Sequence, residues 1–189
     1  PAGGLFNLIT NIPSNQIMKI KLLLPFILML HVSTSLNALT LYLSTDGNDD
    51  VKPVEGAVFE TFEGVLPHLW AGNTLIVKKG VYKGGFHIRR GAKENAPLII
   101  KGEPGALIKG SGDERDAVNL HDCKHVIIDG LAVTSADRAG IYLDHGKFIT
   151  IRNCHTFDNG KWGIFTNHSS DFILENNECS GSGIEHGIY

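Results

Sequence analysis

The sequence predicts an all-β fold, a solenoid of short strands stacked coil upon coil. Three observations predict it. Short apolar triplets recur at Leu75-Ile76-Val77, Leu98-Ile99-Ile100, Val126-Ile127-Ile128, Ile149-Thr150-Ile151 and Phe172-Ile173-Leu174, with starts 23, 28, 23 and 23 residues apart. A second series, Ala117-Val118-Asn119-Leu120, Gly140-Ile141-Tyr142-Leu143, Gly163-Ile164-Phe165-Thr166 and Gly187-Ile188-Tyr189, keeps step with starts 23, 23 and 24 apart. Between these runs the apolar residues alternate and never adopt a helical period. A period in the twenties is the mark of supersecondary units that bury their faces on one another.

The composition is consistent with that reading. At 189 residues, 42% apolar and 20% charged, the chain can bury one sizeable core. It is neither a disordered tail nor a polytopic membrane protein. A net charge of −3 leaves no electrostatic footprint for nucleic acid. Three cysteines are too few for a disulfide scaffold.

The elements follow in chain order. Residues 1–17 read as an upstream, unstructured stretch. From Met18 the chain reads as a signal peptide through Ala38: Lys19 and Lys21, an apolar run from Leu22 to Leu30, then small and polar residues from Ser33 to Ala38. The apolar run is far shorter than the ~20 residues a spanning helix needs. Cleavage falls at Ser35, Asn37 or Ala38. The expected product is a secreted, periplasmic or extracellular, monomer with no membrane attachment after cleavage. The β-solenoid then occupies 39–189. Because the chain stops inside the apolar stretch Gly187-Ile188-Tyr189, the expectation is a fragment truncated at its C-terminus.

Val54, Val58, Phe62, Leu66 and Leu69 fall near helical spacing, and Pro67 ends that pattern. This segment is the expected N-terminal capping helix, covering the open end of the solenoid. After the triplets, Gly130, Asn153 and Asn176 occupy equivalent places. Gly and Asn tolerate a left-handed backbone, so each predicts a sharp corner between strands. Asparagines at one corner of successive coils can bond to each other in a ladder.

Alternation sorts the second series into two sides. Val118, Leu120, Ile141, Leu143, Ile164, Thr166 and Ile188 point inward; Asn119, Tyr142, Phe165 and Tyr189 form an outward file. Strands ~4.8 Å apart would stack these rings along the outer wall. The next outward file holds His121, Asp144 and Asn167, with His145 and His168 just beyond and Glu185-His186 at the entry to the last strand. On the first series the outward file reads Lys78, Lys101, Asp129, Arg152, Glu175, a solvated face with cross-strand ion pairs. In this register Cys154 and Cys179 lie one coil apart but offset by two residues, about 8 Å, too far for a disulfide. All three cysteines are expected to be buried free thiols.

With these motifs the chain resembles the right-handed parallel β-helix of the pectate-lyase-like superfamily, over roughly Leu41 to Tyr189. The residues that carry the resemblance are Leu41-Tyr42-Leu43-Ser44-Thr45-Asp46-Gly47, Ala71-Gly72-Asn73-Thr74-Leu75-Ile76-Val77 with Gly80-Val81-Tyr82, Ala96-Pro97-Leu98-Ile99-Ile100-Lys101-Gly102, and the Gly-Ile-aromatic repeats. The resemblance implies a carbohydrate-active protein working on polysaccharide, including uronate polymers, by β-elimination. That chemistry needs a base near the sugar C5 proton and a neutraliser for the carboxylate, such as Ca²⁺. His121, His145 and His168 are the candidate bases, Asp144 the candidate metal ligand, and Tyr142, Phe165, Tyr189 and Asn167 the candidate substrate contacts. The paired acidic motifs and Gly-His-Gly of polygalacturonase-like hydrolases are absent, as is the pectate-lyase Arg-x-Pro-x-x-Arg, so the resemblance transfers no catalytic residue. Two alternatives stay open: a non-catalytic glycan-binding or adhesin-like module, and a periplasmic accessory protein for metalloenzyme assembly.

Overall fold

A computed structural model describes residues 38–110 and 115–189. The upstream stretch and all but the last residue of the signal-peptide segment lie outside the described residues. The remainder is a right-handed parallel β-helix. It opens with β1 (Thr40–Leu43), β2 (Val58–Phe59), helix α1 (Phe62–Val65) and a 3₁₀ turn over Leu66–His68. Four complete coils of three strands follow. They are β3 (Thr74–Val77), β4 (Gly80–Lys83) and β5 (Phe86–Ile88); β6 (Leu98–Gly102), β7 (Ala106–Lys109) and β8 (Val118–His121); β9 (Val126–Asp129), β10 (Ala132–Thr134) and β11 (Ala139–Asp144); and β12 (Thr150–Arg152), β13 (His155–Phe157) and β14 (Trp162–Asn167). Strands β15 (Ile173–Glu175) and β16 (Glu178–Ser180) begin another coil, and Ile188 bridges to Ile164. Among the described residues no helix is long and apolar enough to cross a membrane.

Equivalent strands make three parallel sheets, ordered β15-β12-β9-β6-β3-β1-β2, β16-β13-β10-β7-β4 and β14-β11-β8-β5. Period-2 alternation on each strand sends every second side chain into the interior. On the first sheet Leu41, Leu75, Ile100, Ile128 and Ile151 are consecutive register partners, and all are fully buried. On the third, Phe86, Val118, Ile141 and Ile164 form the matching file. Burying each such side chain stabilises the fold by about 1.5–3 kcal/mol.

The repeated glycine before these isoleucines has a steric cause. A Cβ on Gly163 would meet the Gly187 carbonyl oxygen at 2.6 Å and overlap Thr156 Oγ1. At Gly163 a Cβ would therefore force Thr156 or the next coil to move.

Three expectations are corrected. The capping helix is confined to Phe62–Val65 and the turn after it. Val58–Phe59 instead pairs with β1, and Val54 is exposed. Thr61 caps this short helix by accepting from the Gly64 N–H at 3.1 Å, and Phe62 stacks on Phe86 across the solenoid end. Second, Leu75 pairs with Ile100 and not with Leu98, so Ile76, not Lys78, stands beside Lys101. That coil is two residues longer than the apolar triplets indicate. Third, the corner residues Gly130, Asn153 and Asn176 are left-handed as expected (φ 73°, 53° and 53°), but the Asn153 amide donates to Asp129 at 2.8 Å. Asn177 also bonds between coils, accepting from the Cys154 N–H at 3.0 Å and donating to the Ile151 carbonyl at 2.9 Å. Asn159 does the same from the Ala136 N–H to the Val133 carbonyl.

All three cysteines are free thiols, and Cys179 faces Thr156, not Cys154, in the register. Burial pushes the Cys123 thiol up to about 12 and Cys154 up to about 11.

Candidate functional site

The third sheet carries two kinds of outward side chain. Register pairs Asn119 with Tyr142 and Tyr142 with Phe165, so the aromatic file forms on adjacent rungs. Tyr142 and Phe165 stack at 5.3 Å, and Trp162 lies on Phe165 at 4.2 Å. Tyr189 continues the file at 5.6 Å from Phe165, with His186 parallel to it at 5.8 Å. Ala139, Tyr142 and Trp162, with Phe165 packed on them, are an apolar cluster outside the solenoid core.

The file is unevenly accessible. Tyr142 is only 9% exposed, because the Arg138 guanidinium lies 4.1 Å over its ring. Arg138 is held there by Asp116, from the preceding coil, with Nε donating to Oδ1 at 2.7 Å and Nη2 to Oδ2. Phe165 is half-buried, and Tyr189 is 59% exposed. Within the file, Tyr142 is thus the ring that Arg138 closes off.

The polar cluster forms where these strands end. His121, Asp144 and Asn167 are register partners at the last positions of β8, β11 and β14. The next residue in each coil, Asp122, His145 and His168, has a left-handed backbone with φ of 49°, 51° and 44°. Asp, Asn and His are the non-glycine residues that enter this region most readily. The corner interrupts strand alternation, so residues adjacent in sequence gather on one side.

Asp144 is the centre. His121 Nδ1 is 3.1 Å from its Oδ2; His145 Nδ1 is 2.9 Å and His168 Nδ1 3.5 Å from its Oδ1. The Asn167 amide donates to the same Oδ1 at 3.2 Å. His121 Nε2 lies 3.1 Å from Asp122. Asp144 is 8% exposed. Burial by itself would raise its carboxyl, but the charge of His145, hydrogen bonds with His168 and Tyr142 and the charge of His121 outweigh that and hold it low.

The candidates read from the sequence therefore converge: all three histidines meet at Asp144, and Asn167 supports it. Sequence reasoning missed Arg138, Asp116, Trp162 and Asp122. The repeat itself holds the signal for Asp122, which stands 23 residues before His145. It also holds one for Trp162, which pairs with Ala139 in the register. Ca²⁺ fits this cluster poorly. It takes six to eight oxygen ligands, and here a single central carboxylate is surrounded by imidazoles.

The sequence pattern of the right handed beta helix region family matches residues 107–189. Crystal structures of two lyases are among those that share the fold. A pectate lyase, Pel9A, superposes with a TM-score of 0.63 at 15% identity, over 82% of this chain and 48% of that one. The alginate lyase from Paenibacillus sp. str. FPU-7 superposes with a TM-score of 0.54 at 22% identity, over 60% of this chain and 39% of that one. The chain thus spans less than half the length of either lyase. No curated protein matches its sequence.

Proposed function

We propose that this β-helix acts on a uronate-containing polysaccharide laid across the outer face of the third sheet. The observation that carries the reading is the adjacency of an aromatic file and a titratable cluster on the same strands, one at Phe165 and Tyr189, the other around Asp144. Aromatic faces pack against the C–H faces of sugar rings, and the cluster supplies groups for proton transfer. The two lyases named above, one of pectate and one of alginate, support the substrate class.

His168 is the base in this reading. Its ring stacks on His145 at 4.8 Å and turns Nδ1 toward Asp144 Oδ1 at 3.5 Å. Asp144 at Nδ1 holds the ring in the tautomer that makes Nε2 the basic nitrogen. Phe165 and Tyr189 seat the chain, and Tyr142 acts from beneath as support for Phe165. A purely glycan-binding role is the second reading, favoured by the stacked rings of Trp162, Phe165 and Tyr189, which need no titratable group to hold a sugar.

The test incubates the protein with alginate and polygalacturonate and follows the ultraviolet absorbance of the unsaturated product, alongside affinity electrophoresis in gels containing each polymer. The expected result is product formation lost in His168→Gln with retardation retained, and retardation lost in Phe165→Ala/Tyr189→Ala. Retardation without product selects the binding module. Neither product nor retardation overturns the proposal.

A further inference from the structure

We propose that His121, Asp144 and His145 form a site for one divalent transition-metal ion of the Zn²⁺ class. One ligand atom from each of the three lies within 4.8 Å of the other two. The two imidazole nitrogens approach opposite oxygens of Asp144, at 3.1 and 2.9 Å. Metal–ligand bonds of 2.0–2.1 Å in a tetrahedron put donors about 3.4 Å apart, so these separations need to open only slightly while the two histidines draw together.

Three further features fit a metal centre. The ligands stand at register positions on β8 and β11 and on the corner after β11, where a packed backbone holds them in place. His121 presents Nδ1 to the site while Nε2 faces the Asp122 carboxylate at 3.1 Å. A carboxylate on the far nitrogen of a ligating histidine fixes its tautomer and raises its basicity. Asp144 in turn accepts from Asn167 at 3.2 Å. Two imidazoles and a carboxylate suit zinc and its neighbours, where calcium requires oxygen. Three protein ligands leave a fourth position on the exposed His145 side for water or a substrate carboxylate.

His168 stands outside the trio, so the site is compatible with its role as base and is tested without polysaccharide. The metal-free full chain is titrated with Co²⁺ while the visible d–d absorption is recorded, then challenged with Zn²⁺ and with Ca²⁺. The expected result is one equivalent of Co²⁺ in a tetrahedral spectrum, displaced by Zn²⁺ and untouched by equal Ca²⁺. The His121→Ala/His145→Ala double variant loses the band, and His168→Gln keeps it. Asn167→Ala weakens binding by roughly 10–100-fold. Circular dichroism and cooperative unfolding establish that each variant is folded. Absence of a Co²⁺ band in the unaltered protein overturns the site, as does an unchanged band in the folded double variant or displacement by Ca²⁺.

Discussion

The first and third sheets end their strands in the same way and with opposite chemistry. On the first sheet the terminal file is Lys101, Asp129, Arg152 and Glu175, followed on the last three rungs by left-handed Gly130, Asn153 and Asn176. On the third sheet His121, Asp144 and Asn167 are followed by left-handed Asp122, His145 and His168. In the first case charges alternate along the stack, so Arg152 finds partners above and below: Nη2 sits 3.0 Å from Asp129 and Nη1 3.9 Å from Glu175. The corner residues add neutral amides or nothing. In the third case one carboxylate is shared by three imidazoles, two of which, His145 and His168, stand at the corners. The difference teaches that the corner residue, more than the strand residue, decides whether a coil end is a self-satisfied ion ladder or a set of donors facing one point.

The comparison rests on a register common to both ends, and breaking that register has the largest effect. Ile128 lies under the first sheet and Ile164 under the third, and both are fully buried. Ile128→Ala and Ile164→Ala should each lower unfolding free energy by about 2–5 kcal/mol in urea titrations. A cost under about 1 kcal/mol at either site would mean that the two sheets do not share one packed interior.

The ion ladder can be broken by itself through Asp129. Burial would raise its carboxyl, but hydrogen bonds from Asn153 and Arg152 and the charges of Arg152 and Lys101 carry it below the ordinary 3.8. The native state therefore favours the ionised form. Its stabilisation is complete above the unfolded carboxyl value and disappears as pH falls through the depressed native value. Asp129→Asn should cost about 1.5–3 kcal/mol at pH 7 and flatten the loss of stability below pH ~4. An acid limb of undiminished steepness in the variant would remove the ladder from the account.

The smallest effect is expected at Arg152, whose side chain is 40% exposed. Arg152→Ala should cost at most about 1 kcal/mol, and added salt should erase much of the difference. A larger, salt-insensitive loss would show that the first-sheet end is as tightly organised as the cluster on the third.

Much of this was legible in the sequence, for a physical reason. A solenoid repeats the same burial problem on each coil, so Ile141, Ile164 and Ile188 recur at intervals of 23 and 24 residues and their outward neighbours must stack. The reading slips at one step: from β3 to β6 the register is 25 residues and not the 23 between apolar triplets, so the place beside Lys101 belongs to Ile76 and not to Lys78, whereas the 28-residue step to β9 holds. The short helix was overextended because a two-residue strand, Val58–Phe59, carries no period of its own.

The site was legible as a neighbourhood and not as a constellation. His121, Asp144 and Asn167 follow from alternation, but alternation cannot report what happens at a left-handed corner. The convergence of His145 and His168 on Asp144 depends on φ values near 50° and on side-chain direction. The covering of Tyr142 depends on Arg138, which Asp116 of another coil holds in place. The sequence by itself thus determined the stacking, the inward and outward files and the strands that bear the site, because those follow from periodic burial. Only the tertiary structure decided which outward groups meet and which ring is closed off, because those outcomes depend on contacts between coils that no local pattern encodes.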